Sequence, residues 1–176
     1  MVSQVAQEGV SAGAVVDVLL NCGVTHVVWL VDSETGALYD ALTGAEQQGR
    51  LTTIPICREG EAIPVALGLL IGGKKPVVII QNTGLFESGD SLRGHAIDFE
   101  LPIVMMIGYR GWKPDKTMIT DSAATYLEPV LDAYGVPHEM LSGANFRKLI
   151  PDSFRRAEEL KAPVAILVPA EWEAGS

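Results

Sequence analysis

Apolar runs of strand length alternate along this chain with segments in which apolar residues recur at helical spacing. Gly, Pro or Asn residues mark most of the boundaries between them. Two of the runs, residues 77–80 and 103–107, are apolar on both faces, as parallel strands between two layers of helices must be. The pattern predicts an α/β fold: a doubly wound, mainly parallel six-stranded sheet with helices on both faces.

The predicted elements fill the chain at the length of a single domain, so we expect one domain over residues 1–176. The predicted strands are His26–Val31, Leu51–Ile56, Pro76–Gln81, Pro102–Ile107, His138–Leu141 and Pro163–Val168. The predicted helices are Ser11–Asn21, Gly36–Gln48, Glu59–Ile71, Phe86–Phe99, Ala123–Tyr134 and Phe146–Lys161.

The third predicted helix has no polar face between Ala62 and Leu70. A helix that is apolar all round is normally buried in a large protein or at an interface. A central helix of an ordinary α/β layer fits the pattern equally well. Pro64 should kink or delay this helix, because proline lacks the N–H that a helical hydrogen bond needs.

Ligands of doubly wound sheets bind at the carboxyl ends of the strands. The segments that follow the first four predicted strands are 31–36, 57–61, 81–86 and 108–113, and we expect functional side chains there. The longer stretch Gly108–Asp121 is a candidate functional loop, because loops of that length are uncommon in compact domains.

Glu59 stands where the second strand gives way to the apolar helix. Desolvation at such a position would raise the pKa of the carboxyl group toward values useful for proton transfer near neutral pH. The alternative is that Glu59 and Glu61 are ordinary first-turn acids that complement the helix dipole. Position alone favours the second interpretation, because first-turn acids are common.

Other polar residues near the strand ends have the same two interpretations. Asn82, Thr83 and Ser33 can face a ligand, or they can be turn and cap residues. Positive charge for an anionic substrate could come from Arg58, Arg93, His95, Arg110 and Lys113, among which Arg110 directly follows a strand end.

Charge and composition exclude several classes of function. The net charge of −9 opposes nucleic-acid binding, which needs clustered Lys and Arg. The two cysteines lack metal or redox spacing, so we expect free thiols in a reducing compartment. No apolar run reaches the roughly 20 residues of a membrane span, and the first ten residues lack signal-peptide character, so we expect a cytoplasmic protein.

Four strand-end segments together resemble the pyrimidine-binding domain of thiamine diphosphate-dependent 2-oxoacid decarboxylases, in particular those acting on sulfopyruvate and phosphonopyruvate. Val31-Asp32-Ser33 is similar to the family's Pro-Asp-Ser turn, with valine in place of proline. Arg58-Glu59-Gly60 resembles the segment that carries the family's catalytic glutamate. The resemblance covers nearly the whole chain.

The other two matches follow the next two strands. Gln81-Asn82-Thr83-Gly84-Leu85 is close to the family's Gln-Asn-Ser-Gly-Leu, and Ile107-Gly108-Tyr109-Arg110-Gly111 resembles its Ile-Gly-Trp-Arg-Gly. After Leu85 the family usually continues with Gly-Asn and a second Asn three residues later, where this chain has Phe86, Glu87 and Asp90. Amides have become acids here, which puts the identity of the 2-oxoacid in question more than the cofactor.

The resemblance implies a role for each matching residue. Glu59 would be the catalytic residue, which hydrogen-bonds N1′ of the aminopyrimidine. Asn82, Thr83 and Gly84 would line the cofactor's pyrimidine. Asp32, Ser33 and Arg110 would lie near the substrate, and no residue of this chain would bind a metal.

The resemblance also implies a partner subunit. The family binds the diphosphate and Mg²⁺ through a Gly-Asp-Gly motif and a later asparagine, and this sequence has no such motif. We therefore expect a hetero-oligomer in which this chain is the alpha subunit and shares thiamine diphosphate with the partner. Three alternatives stay open: a carboligase subunit, a regulatory domain that has lost catalysis, and an unrelated flavodoxin-like binding domain.

Overall fold

The computed structural model describes residues 9–113, 121–169 and 172. Its strands form one six-stranded sheet in the order β2-β1-β3-β4-β6-β5, and every pairing between neighbours is parallel. The strands are β1 His26–Trp29, β2 Thr52–Pro55, β3 Pro76–Gln81, β4 Val104–Gly108, β5 His138–Met140 and β6 Val164–Val168. The predicted fold class is therefore confirmed.

Helices connect the strands and cover both faces of the sheet. They are α1 Ala12–Asn21, α2 Tyr39–Gln47, α3 Ala62–Ile71, α4 Asn82–Glu87, α5 Gly89–Ser91, α6 Ala123–Ala133 and α7 Phe146–Leu160. Short 3₁₀ turns, Gly36–Leu38 and Glu59–Glu61, lead into α2 and α3, and a π-helical turn, Leu92–Ile97, follows α5.

The sheet separates two hydrophobic cores. Alternate residues of β3 point to opposite faces, so Val77 and Ile79 join one core while Val78 and Ile80 join the other. The first core is closed by α1, α2 and α7, and the second by α3, α4 and α6. This double layer explains why β3 and β4 are apolar on both faces.

The strand order places a switch point between β1 and β3. From β1 the chain moves outward to β2, then returns to the other side of β1 to form β3. The connections leaving β1 and β3 therefore diverge to opposite faces, which leaves a crevice at their carboxyl ends.

Pro64 lies at the start of α3. The 3₁₀ turn at Glu59–Glu61 delays the helix until Ala62, so Pro64 lies in its first turn, where backbone N–H groups have no helical acceptor. Only Ala62, Ile63 and Ala66 of this helix are buried, and Ile71 is 78% exposed. Val65, Leu69 and Leu70 pack against the second core but are only partly buried, so part of this apolar helix faces outward.

The fourth helical region begins earlier than predicted. The sequence pattern placed its start at Phe86, whereas α4 starts at Asn82, directly after β3. Extended backbone at Gln81 (φ −79°, ψ 160°) turns the chain straight from strand into helix. In the candidate loop Gly108–Asp121, residues 114–120 lie outside the described residues. No helix in the described part of the chain is long and apolar enough to cross a membrane.

Candidate active site

Glu59 and Gly84 meet at the carboxyl edge of the sheet. The side chain of Glu59, in the turn after β2, lies directly across the Cα of Gly84 in α4. A Cβ at position 84 would lie 2.7 Å from Glu59 Oε1 and 2.8 Å from its Cδ, closer than non-bonded atoms approach. Glycine is therefore required for this placement of the carboxylate.

Glu87 holds the segment around Glu59 in place. Its carboxylate accepts hydrogen bonds from the guanidinium of Arg58 and from the backbone N–H of Gly60. Ser91 Oγ donates to the carbonyl of Gly60 at 2.9 Å. Both residues that flank Glu59 are thus fastened to α4 and α5, and Glu87 makes two of these contacts.

The Glu59 carboxylate itself is available to a ligand. Its side chain is half-buried, and none of the hydrogen bonds between described residues involves its oxygens. Glu61, the other acid of the turn, instead accepts from the backbone N–H of Cys57 at 3.4 Å. The two acids of this turn therefore differ in what they can do.

Asn82 and Thr83 are adjacent but face different surroundings. Asn82 is fully buried, its Nδ2 donates to the carbonyl of Arg110 at 3.0 Å, and its Oδ1 accepts from the N–H of Thr83 at 3.0 Å. Thr83 is exposed, and its hydroxyl donates to Gln81 Oε1 at 2.8 Å. Asn82 thus joins α4 to the end of β4, while Thr83 can reach a ligand.

Asp32 shapes the turn after β1. Its Oδ1 accepts from the N–H groups of Glu34 and Thr35 at 2.8 and 2.9 Å, and its Oδ2 accepts from Thr35 Oγ1 at 2.6 Å. Burial raises the pKa of Asp32 above its usual value, although these hydrogen bonds oppose the rise. A Cβ at Gly108 would lie 3.0 Å from Asp32 Oδ1, so the turn packs closely on the end of β4.

Ser33 and Glu34 lie beside the end of β3. Ser33 is exposed, and its hydroxyl donates to Glu34 Oε2 at 3.0 Å. Glu34 is only 8% exposed, and the same oxygen accepts from Gln81 Nε2. The indole N–H of Trp172 donates to the carbonyl of Glu34 at 2.6 Å. Sequence reasoning missed Glu34 and Gln81; the only signal was a further acid directly after Asp32-Ser33.

Arg110, the candidate cation that directly follows a strand end, is paired with an acid. Arg110 Nε lies 2.9 Å from Asp121 Oδ2, and Gly111 (φ +84°) packs on that aspartate, where a side chain would clash. Beside them Tyr109 is buried, and its hydroxyl donates to Glu128 Oε1 at 2.8 Å. Burial, and then the hydrogen bond and charge of Glu128, raise the pKa of Tyr109.

Of two other predicted cations, one is paired with acids and the other is exposed. Arg93 binds Asp90 and Asp98, at 2.7 and 2.9 Å, and Lys113 is exposed. Among the residues that the structure describes, no group of three or more His, Cys, Asp or Glu side chains could hold a metal ion.

Similarity of sequence relates this chain to known proteins. No family model matches the sequence. The chain is 30% identical over 122 residues to the sulfopyruvate decarboxylase subunit alpha of Methanococcus maripaludis, covering 68% of this chain and 73% of the relative. It is 26% identical over 130 residues to that of Methanocaldococcus jannaschii, covering 73% of this chain and 77% of the relative.

Solved structures agree on the fold. A putative thiamin diphosphate-dependent enzyme from Mycobacterium smegmatis superposes with a TM-score of 0.68 at 18% identity. The match covers 94% of this chain but only 32% of that one, so this chain spans about a third of the neighbour's length. The fold is thus one found in thiamine diphosphate-dependent enzymes.

The class of protein follows from the relatives together with the fold: the chain is a subunit of a thiamine diphosphate-dependent decarboxylase. It belongs to the family of sulfopyruvate decarboxylase alpha subunits. The word alpha in the relatives' names implies a partner subunit.

Proposed function

We propose that this chain supplies the aminopyrimidine side of a thiamine diphosphate site, with Glu59 as its catalytic acid and base. The observation that carries the proposal is the passage of Glu59 across Gly84. An acid that served only a helix dipole would have no need of that contact, because the dipole requires only a charge near the first turn.

The residues present fit the ring. Glu59 has a carboxylate available to ring atom N1′, and Gly84 leaves room for the Glu59 side chain. Thr83, the residue before Gly84, offers an exposed hydroxyl. Asn82 supports this surface from behind through its bond to Arg110. The cofactor supplies the carbanion chemistry that decarboxylation needs, and the protein supplies orientation and proton transfer.

For this chain we propose a 2-oxoacid substrate like sulfopyruvate or phosphonopyruvate, which is converted to an aldehyde and CO2. The names of the relatives support an acid with a second anionic group. We propose that Arg110, which follows β4 and is paired with Asp121, would face that group. Asp32 and Ser33 would border this substrate from the turn after β1. We propose that the diphosphate and Mg²⁺ bind to the partner subunit, because this chain lacks the corresponding motif.

Glu59→Gln in the complex with the partner subunit tests the catalytic role. Glutamine keeps the shape of the side chain but cannot exchange a proton, so hydrogen–deuterium exchange at cofactor C2 should slow by about 10² to 10⁴. Glu61→Gln is the matched control, because it removes the other acid of the same turn and should leave exchange unchanged. Wild-type exchange in Glu59→Gln would end the assignment.

The division of the site between chains needs a separate test. Isothermal calorimetry of this chain alone with thiamine diphosphate and Mg²⁺ should show no tight binding, whereas the complex should bind the cofactor. Submicromolar binding by the chain alone would contradict the shared site.

A further inference from the structure

One carboxylate binds the residues on both sides of Glu59. Glu87, at the end of α4, accepts from the Arg58 guanidinium with Oε1 and from the Gly60 backbone N–H with Oε2. A Cβ at position 60 would lie 2.9 Å from Glu87 Oε2 and 3.2 Å from Oε1, so the carboxylate occupies the space that a side chain would need. Residues 58 and 60 are therefore both held to α4 by a single group.

The turn that carries Glu59 depends on another helix for a hydrogen-bond acceptor. It is the 3₁₀ turn Glu59–Glu61, which follows extended backbone at Arg58 (φ −144°, ψ 138°), and no side chain at its N-cap position accepts a hydrogen bond. The N–H groups in the first turn of a helical element have no acceptor within that element. Glu87 supplies the acceptor for Gly60, so its contact helps to fix the direction in which the turn leaves β2.

The Glu59 side chain has no hydrogen bond of its own that would fix it. Because its oxygens bind no other described residue, its direction depends on the backbone of residues 58–60 and on its contact with Gly84. Gly84 and Glu87 are three residues apart in α4 and so lie on one face of that helix. The same face of α4 thus provides the space for the Glu59 side chain and holds the backbone on either side of it.

We propose, on the basis of the function proposed above, that Glu87 is a positioning residue that keeps the Glu59 carboxylate in place for proton transfer with the cofactor. An ionised carboxylate can accept from Arg58 and Gly60 at once, whereas an amide has one accepting oxygen and an NH₂ group that would face a second donor. Glutamine at position 87 can therefore keep one of the two contacts, and alanine neither. A displacement of about 1 Å in a catalytic group costs about 10² in rate, so the loss of both contacts should be visible in the proton transfer itself.

Hydrogen–deuterium exchange at cofactor C2, measured in the complex with the partner subunit at saturating thiamine diphosphate, tests this role. Glu87→Ala should slow exchange by about 10- to 10²-fold. Glu87→Gln should slow it less, because glutamine retains an acceptor for the Gly60 N–H. Asp90→Asn is the matched control: this acid of α5 pairs with Arg93 at 2.7 Å, and loss of its charge should leave exchange unchanged.

A double variant separates positioning from general damage to the site. In the Glu59→Gln background, neither Glu87→Ala nor Glu87→Gln should slow exchange further, because the carboxylate that Glu87 positions is already gone. Wild-type exchange in Glu87→Ala, or a further loss in the double variants, would overturn the proposal while leaving the role of Glu59 intact. Wild-type exchange in Glu59→Gln alone would instead refute the proposed function.

Discussion

Gly84→Ala should disable Glu59 although residue 59 itself is unchanged. The new Cβ would lie 2.7 Å from Glu59 Oε1 and 2.8 Å from Cδ. The new Cβ would approach Glu59 Cγ even more closely. Because non-bonded carbon atoms settle about 3.5–4.0 Å apart, the Glu59 side chain must move by at least about 1 Å. A displacement of about 1 Å in a catalytic group costs about 10² in rate, so C2 exchange in the complex should slow by about that factor.

Stability should change little in this variant, which separates the effect from misfolding. Alanine is favoured over glycine inside a helix by about 1 kcal/mol, and the displaced carboxylate is half-buried and can turn toward water. The free energy of unfolding, measured by denaturant titration, should therefore stay within about 1 kcal/mol of the wild type.

Gly44→Ala is the matched control, because it is the same substitution in helix α2 and nothing outside the backbone of that helix lies within 4 Å of the new Cβ. It should leave C2 exchange unchanged. The double variant Glu59→Gln/Gly84→Ala should exchange no more slowly than Glu59→Gln alone, since both changes act through one carboxylate. Wild-type exchange in Gly84→Ala, or additive losses in the double variant, would refute the reasoning.

Two further predictions concern the surroundings of the site. Glu87→Gln removes the ion pair with Arg58 and should lower the free energy of unfolding by only about 0.2–1 kcal/mol, because the pair is exposed. A larger loss in denaturant titrations would show that the contacts of Glu87 are needed for the fold. Asp32→Asn should change how stability depends on pH. Burial raises the folded-state pKa of Asp32 above 3.8, so its ionisation destabilises the folded wild type as pH rises through that raised value. As pH rises through the acidic range, the melting temperature of Asp32→Asn should increase relative to that of the wild type. The opposite trend would mean that the hydrogen bonds to Asp32 outweigh its burial.

The sequence pattern predicts the strands well where both faces are buried. Strand β3 has the predicted bounds, Pro76–Gln81, because an unbroken apolar run has no other place in the fold. Strand β1 ends at Trp29 rather than Val31, because Asp32 draws the backbone into a turn and Val31 is left exposed. Local pattern does not show such a competition between side chain and strand.

The candidate site was predictable only in part, because its key contacts join residues distant in sequence. The motif around Glu59 and the one around Gly84 could each be identified, but the contact between them required the fold. Nothing in the local pattern distinguishes Glu34 from a surface acid, and only the fold brings it to the side chain of Gln81 at the end of β3. The early start of α4 was not predicted, because asparagine is common both at the start of a helix and in a loop, and the residue type of Asn82 does not distinguish the two.

The apolar surface of α3 has a consequence for how the cell must make this chain. Ile71 and its neighbours expose hydrophobic area that, on a protein produced alone, invites aggregation or chaperone capture. A chain made in excess over the partner that covers α3 would remain unassembled and would be degraded. We expect its synthesis to be matched in time and amount to that of the partner.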